Sequence, residues 1–148
     1  MAGPNGRKDF ARQSACRLWQ GKQPLTYGYG LRNLLQKNHI ANPLFVATNG
    51  VEALELLRSG SVPKDRRMVL LDLNMPRMNG IELLRELRRD RELHSIPVVV
   101  LTTSNDERDR IEAYDLNVAG YLLKPVTFSN FCDLMATLNK YWALVELP

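Results

Sequence analysis

The sequence predicts an α/β fold, a doubly wound parallel sheet with helices on both faces. Two observations predict it. From residue 31 onward, short apolar runs alternate with segments of helical period, and runs such as 68–71 are apolar at every position instead of every second one. A strand that is apolar throughout must be covered on both faces, which is the condition of a parallel sheet and its crossover helices. Size agrees: 148 residues, 45% apolar and 24% charged, suit one globular domain.

Each element follows in order. Residues 31–36 read as the end of an apolar helix, and 44–47 as a short β-prone run closed by Asn49-Gly50. Val51, Leu54 and Leu57 then recur at helical spacing with Glu52, Glu55 and Arg58 opposite. Ser59-Gly60 and Pro63 stop that helix. The run 68–72 is the next strand and ends on Asp72, while Ile81, Leu84 and Leu87 mark the helix after it. Another buried strand is expected at 97–101, a polar helix around Ile111 and Tyr114, and a last strand at 120–123. Phe128, Phe131, Met135, Leu138 and Trp142 stripe a closing helix over about 127–142. Tyr141 lies off that stripe and, with Val145 and Leu147, suits contact with a partner or a second copy of the chain.

The first thirty residues fit this scheme poorly. Gly3, Gly6, Gly21, Gly28 and Gly30, with Pro4 and Pro24, interrupt any period, and only 17–20 offers a faint strand. Charge marks the same break. Residues 1–40 hold seven basic residues against one acid, Asp9, whereas the rest holds thirteen basic and fifteen acidic. The chain therefore reads as an atypical basic, Gly-rich segment (1–30), a folded domain (31–142) and a short tail (143–148).

Composition also excludes functions. No apolar run is long enough to cross a bilayer, and no apolar stretch follows the N-terminal basic residues as in a secretory signal, so the cytoplasm is expected and a membrane is not. Cys16 and Cys132 lack metal-ligand or redox spacing. The basic arm carries neither aromatics at stacking intervals nor a recognition helix, so nucleic acid is not an expected partner.

Parallel sheets place their chemistry at the carboxyl ends of the strands. The residues there are Asp72, Thr102 with Thr103, and Lys124, separated by 30 residues (72 to 102) and 22 residues (102 to 124), each about one βα unit. An aspartate, a hydroxyl and a lysine converging on one pocket suit phosphoryl transfer to a carboxylate. The aspartate is the nucleophile, and the lysine and hydroxyl stabilise the phosphoryl oxygens.

The segments Asp72-Leu-Asn-Met-Pro-Arg-Met-Asn-Gly80, Leu101-Thr-Thr-Ser104 and Tyr121-Leu-Leu-Lys-Pro125 resemble, in order and spacing, the signatures of response-regulator receiver domains of two-component signalling. The resemblance runs from about residue 31 to 142. With Asn139-Lys-Tyr-Trp142, Leu147-Pro148 and 38–43, it extends to the small stand-alone regulators that partner phytochrome-type sensor kinases. It implies a five-stranded flavodoxin-like sheet in the order 2-1-3-4-5, with Asp72 as phosphoacceptor, Thr102 as switch hydroxyl, Tyr121 as switch aromatic and Lys124 as phosphate contact. The Lys124-Pro125 bond is cis by the same resemblance, Met75-Pro76 turns the chain sharply after the acceptor, and Gly80 frees the backbone for the next helix. Mg²⁺ is the implied cofactor, on Asp72 and the Asn74 carbonyl. A sensor histidine kinase is the implied partner, and the protein is not itself an enzyme.

One part of the pattern is missing. The family's adjacent acidic pair at the end of its first strand falls, by gapless counting, near Lys22-Gln23, and no Asp or Glu occurs between Asp9 and Glu52. Mg²⁺ prefers octahedral oxygen ligands, so weak binding is expected. A divergent receiver, a remodelled N-terminus and an altered reading frame ahead of about residue 30 each account for this, and the abrupt junction favours the third. The expected function is a single-domain response regulator phosphorylated on Asp72, with no length for an output domain. The rival is a degenerate pseudo-receiver that binds proteins without phosphate. An aspartyl-phosphate hydrolase would want a second carboxylate where Asn74 stands. His39 and His94 read as surface or cap residues.

Overall fold

A computed structural model describes residues 45, 47–62, 64, 67–74, 77–123, 128–142 and 144. The faint strand candidate at 17–20, the helix end at 31–36, Lys22-Gln23, His39, Met75-Pro76, Lys124-Pro125 and most of the 143–148 tail lie outside these residues. The elements, in order, are α1 (Gly50–Arg58), β1 (Val69–Leu71), α2 (Gly80–Arg89), β2 (Val98–Thr102), α3 (Glu107–Asp115), β3 (Gly120–Leu123) and α4 (Phe128–Trp142).

Among the described residues three strands form a parallel sheet ordered β1-β2-β3, with Leu71 opposite Val100 and Thr102 opposite Leu123. Every residue of β1 and β2 is buried. The alternation of the pleat sorts them. Val69, Leu71, Val98 and Val100 share one core with Leu54 and Leu57 of α1, Ile81, Leu84 and Leu87 of α2, and Ala113 of α3. Leu70, Val99 and Leu101 are equally buried but stand outside that core, on the opposite face. The strands are thus covered on both sides, as their unbroken apolar runs require.

The helices begin on side chains the sequence supplies at fixed spacing. Asn49 Oδ1 accepts from the Glu52 N–H at 2.9 Å and caps α1. Asn79 does the same for Glu82 at 2.9 Å, and Glu82 Oε2 reaches back to the Asn79 N–H at 3.4 Å, completing a capping box. Asp106 caps α3 through the Arg108 N–H. Ser59 caps the C-terminal end of α1, and Gly60 follows with φ +80°, the left-handed conformation glycine permits.

Gly80 corrects an expectation. Its φ is not positive, since Gly60 is the only such glycine among the described residues. Space is what demands glycine there: a Cβ would lie 2.7 Å from the Asp72 carbonyl oxygen and from Leu73 Cα. The run at 44–47 is described only at Phe45 and Ala47, neither of which is in a strand, and Ala47 is fully buried in the core.

Candidate functional site

Because β1 and β2 run parallel and in register, their carboxyl ends open side by side, and the residues that follow each strand meet there. Asp72 leaves β1 immediately and is 4% exposed. Thr102 closes β2, is fully buried, and donates from Oγ1 to Asp72 Oδ1 at 3.2 Å. The Asn74 N–H donates to the same oxygen at 3.0 Å, an Asx turn that folds the loop back on its own carboxylate. Asn74 Nδ2 reaches Thr103 Oγ1 at 3.4 Å and joins the two loops again. This is a carboxylate oriented by donors, with a hydroxyl beside it where a new oxyanion can be stabilised.

Ser104 extends the network. Its N–H donates to Thr102 Oγ1 at 3.2 Å, its hydroxyl to Asp109 Oδ2 on α3 at 2.7 Å, and its carbonyl accepts from the Tyr121 hydroxyl at 3.0 Å. Burial raises the Tyr121 phenol above its ordinary value, the bond to Ser104 opposing and the charge of Asp109 adding. Tyr121 therefore remains a neutral donor at physiological pH.

Of the residues singled out in the sequence, Asp72, Asn74 and Thr102 come together, and Tyr121 joins them through Ser104. Lys124 lies outside the described residues. His94 is exposed, and its carbonyl accepts from Arg88. Two contributions had no forecast: Ser104 as a junction, and the seating of the loop after Asp72 on α1, where the Gly50 N–H donates to the Met78 carbonyl at 3.1 Å. Asn-x-x-Glu recurs at 49–52 and 79–82. That repeated capping signal places both helix starts beside this loop.

A divalent cation here would find the Asp72 carboxylate and, as second donor, the Asn74 carbonyl. Among the described residues no three His, Cys, Asp or Glu side chains gather to hold a metal ion. One carboxylate and one carbonyl leave most of the octahedral set to water, so the described residues supply only part of a Mg²⁺ site.

The sequence profile of the response regulator receiver domain matches residues 28–136. The chain belongs to this family. The receiver is 34% identical over 122 residues to the response regulator Rcp1 of Synechocystis sp., a match covering 80% of this chain and 83% of that protein. It is 41% identical over 96 residues to a probable methanogenesis regulatory protein, FilR2, of Methanothrix harundinacea, covering 64% and 62% of the two chains. Against chemotaxis protein CheY-3 of Vibrio cholerae the receiver is 41% identical over 81 residues and spans 59% of that protein's length. Its fold superimposes on the Mn²⁺-bound crystal structure of Rcp1 with a TM-score of 0.77 at 30% identity, covering 90% of this chain and 99% of the other. The phosphorylated cyanobacterial phytochrome response regulator RcpA superimposes with a TM-score of 0.78 at 28% identity over the same shares. The flavodoxin-like receiver fold and a place in two-component response regulation follow. Among the described residues no helix is long and apolar enough to cross a membrane.

Proposed function

We infer that this receiver accepts a phosphoryl group on Asp72 from a sensor histidine kinase. The observation that carries the reading is the Thr102 hydroxyl on the Asp72 carboxylate, 3.2 Å away at the end of the adjoining parallel strand. A carboxylate oxygen of Asp72 attacks phosphorus, the P–O bond forms as the donor's P–N bond breaks, and the imidazole departs and takes up a proton. Thr102 donates to one phosphoryl oxygen, and Lys124 offsets charge on another. Tyr121 and Ser104 then carry the change to α3. The likeness to RcpA, a phytochrome response regulator, supports a phytochrome-type kinase as the partner. Exposure of Tyr141 (58%) and Leu144 (85%) supports docking of a partner or a second copy at the end of α4.

In this reading the receiver occupies 31–142, Mg²⁺ binds weakly through Asp72 and the Asn74 carbonyl, and signalling takes place in the cytoplasm by protein docking, without enzymatic output. The absence of acids between Asp9 and Glu52 favours one rival, a pseudo-receiver that docks without phosphate. Beryllofluoride with excess Mg²⁺ separates the two. Chemical-shift changes at Thr102, Ser104 and the Tyr121 ring are expected of a working acceptor; unchanged spectra with retained kinase binding would select the pseudo-receiver.

A further inference from the structure

The loop after Asp72 is fastened at two points. Gly80 N–H donates to the Leu73 carbonyl at 3.1 Å and closes the loop on itself. Gly50 N–H donates to the Met78 carbonyl at 3.1 Å and fastens it to a different element, the first turn of α1. Between these points the Asn74 N–H meets Asp72 Oδ1. Charge ties the same two segments: the Thr48 hydroxyl and N–H hold the Glu52 carboxyl below its ordinary value, and Arg77 from the loop adds to the effect.

The approach at Gly50 is close. A Cβ there would lie 2.6 Å from Met78 Cγ and 2.9 Å from the Met78 carbonyl oxygen, and the second of these is backbone. Gly50 does not have a positive φ and begins a helix, so helix propensity alone makes Ala the better residue. The geometry says the reverse. Asn49, buried and capping α1, fixes the direction of the Gly50 N–H, so the height of the loop is set by a helix end and not by the loop itself.

We propose that Gly50 is a positioning residue for Asp72: by seating the Met78 carbonyl it sets the height of the chain after Asp72 and, with it, the Asn74 N–H that orients the carboxylate. The acceptor role of Asp72 underlies only the consequence for phosphorylation; the positional part stands on geometry alone.

Gly50→Ala tests it, with Gly60→Ala as the matched control. Gly60 has φ +80° and nothing within 4 Å of an added Cβ, so its substitution strains the backbone without touching the loop. The readouts are the Asn74 amide shift and exchange rate, and the initial rate of labelling by acetyl phosphate. Gly50→Ala is expected to move the Asn74 amide and slow labelling about tenfold or more, the scale of loss that small misplacements cause. Gly60→Ala should leave both at parent values. Should Gly50→Ala fail to fold, Gly50→Ala with Met78→Ala removes the 2.6 Å contact with Cγ, leaves those with the Cβ at 2.8 Å and the carbonyl oxygen at 2.9 Å, and is expected to displace the same amide. An Asn74 amide that stays in place in the folded variant, or moves equally in Gly60→Ala, overturns the proposal. Lack of labelling in the parent would count against the acceptor reading, while the amide result would still decide the role of Gly50.

Discussion

Thr102 Oγ1 serves two partners at once, donating to Asp72 and accepting from the Ser104 N–H. Full burial leaves no water to replace either. Thr102→Val keeps the shape and removes both bonds, and is expected to cost about 1–3 kcal/mol in urea unfolding; an unchanged midpoint would contradict the geometry. Glu52 gives a second prediction. Its carboxylate accepts the Thr48 hydroxyl at 2.6 Å and the Thr48 N–H at 2.8 Å, and these bonds, with Arg77 after them, lower its pKa from 4.5. Since the folded value lies below the unfolded one, the unfolded chain takes up the proton first as pH falls. The contribution is complete above 4.5 and is lost as pH drops through the lower folded value. Glu52→Gln should flatten stability against pH in that acid window, and identical slopes for the two proteins would refute it. The place of Asp72 was legible because it ends an apolar run. The part played by Ser104 was not, because its N–H and carbonyl carry two of its four bonds, and every residue but proline has both groups.

Helix α2 holds its neighbour by two arginines three residues apart. Arg85 pairs with Glu112 in α3. Arg88 bonds four carbonyls: Leu116 from Nε at 2.7 Å, His94 and Ile96 from Nη1 at 2.7 and 3.0 Å, and Asn117 from Nη2 at 3.1 Å. Two of these follow the C-terminal end of α3, where the helix dipole favours a cation. Burial lowers the Arg88 pKa from its ordinary value, yet a guanidinium stays charged. Lysine keeps the charge without the planar fork, so Arg88→Lys is expected to lose about 1–3 kcal/mol. Arg89→Lys, on the exposed side, should stay within about 0.5 kcal/mol. Equal urea midpoints for the two variants would deny Arg88 this role. Helices α1 and α2 were legible because Leu54, Leu57, Ile81, Leu84 and Leu87 repeat at helical spacing and are all buried. In α3 only Ala113 is buried, and its anchors sit on another helix, so periodicity could report no more than a polar helix. Strand β2 runs one residue later than expected, at 98–102. Pro97 has no N–H to give the ladder, although its carbonyl still accepts from Val69 at 2.9 Å.

For the whole molecule, the parallel strands among the described residues bring the residues after each apolar run to one end of the sheet, which is why a linear sequence could locate Asp72 and Thr102. Metal binding depends on what else reaches that end. With no acid between Asp9 and Glu52, titration with Mg²⁺ followed by Trp and Tyr fluorescence should saturate only well above millimolar concentration. Saturation below a millimolar would reveal a ligand that the pattern of acids does not. The central claim is that Asp72 is the acceptor. Intact mass after incubation with acetyl phosphate in excess Mg²⁺, quenched in acid and compared between the parent and Asp72→Asn, tests it most directly. One phosphoryl group on the parent and none on Asp72→Asn is the predicted result; undiminished labelling of Asp72→Asn, or an unlabelled parent, would contradict it.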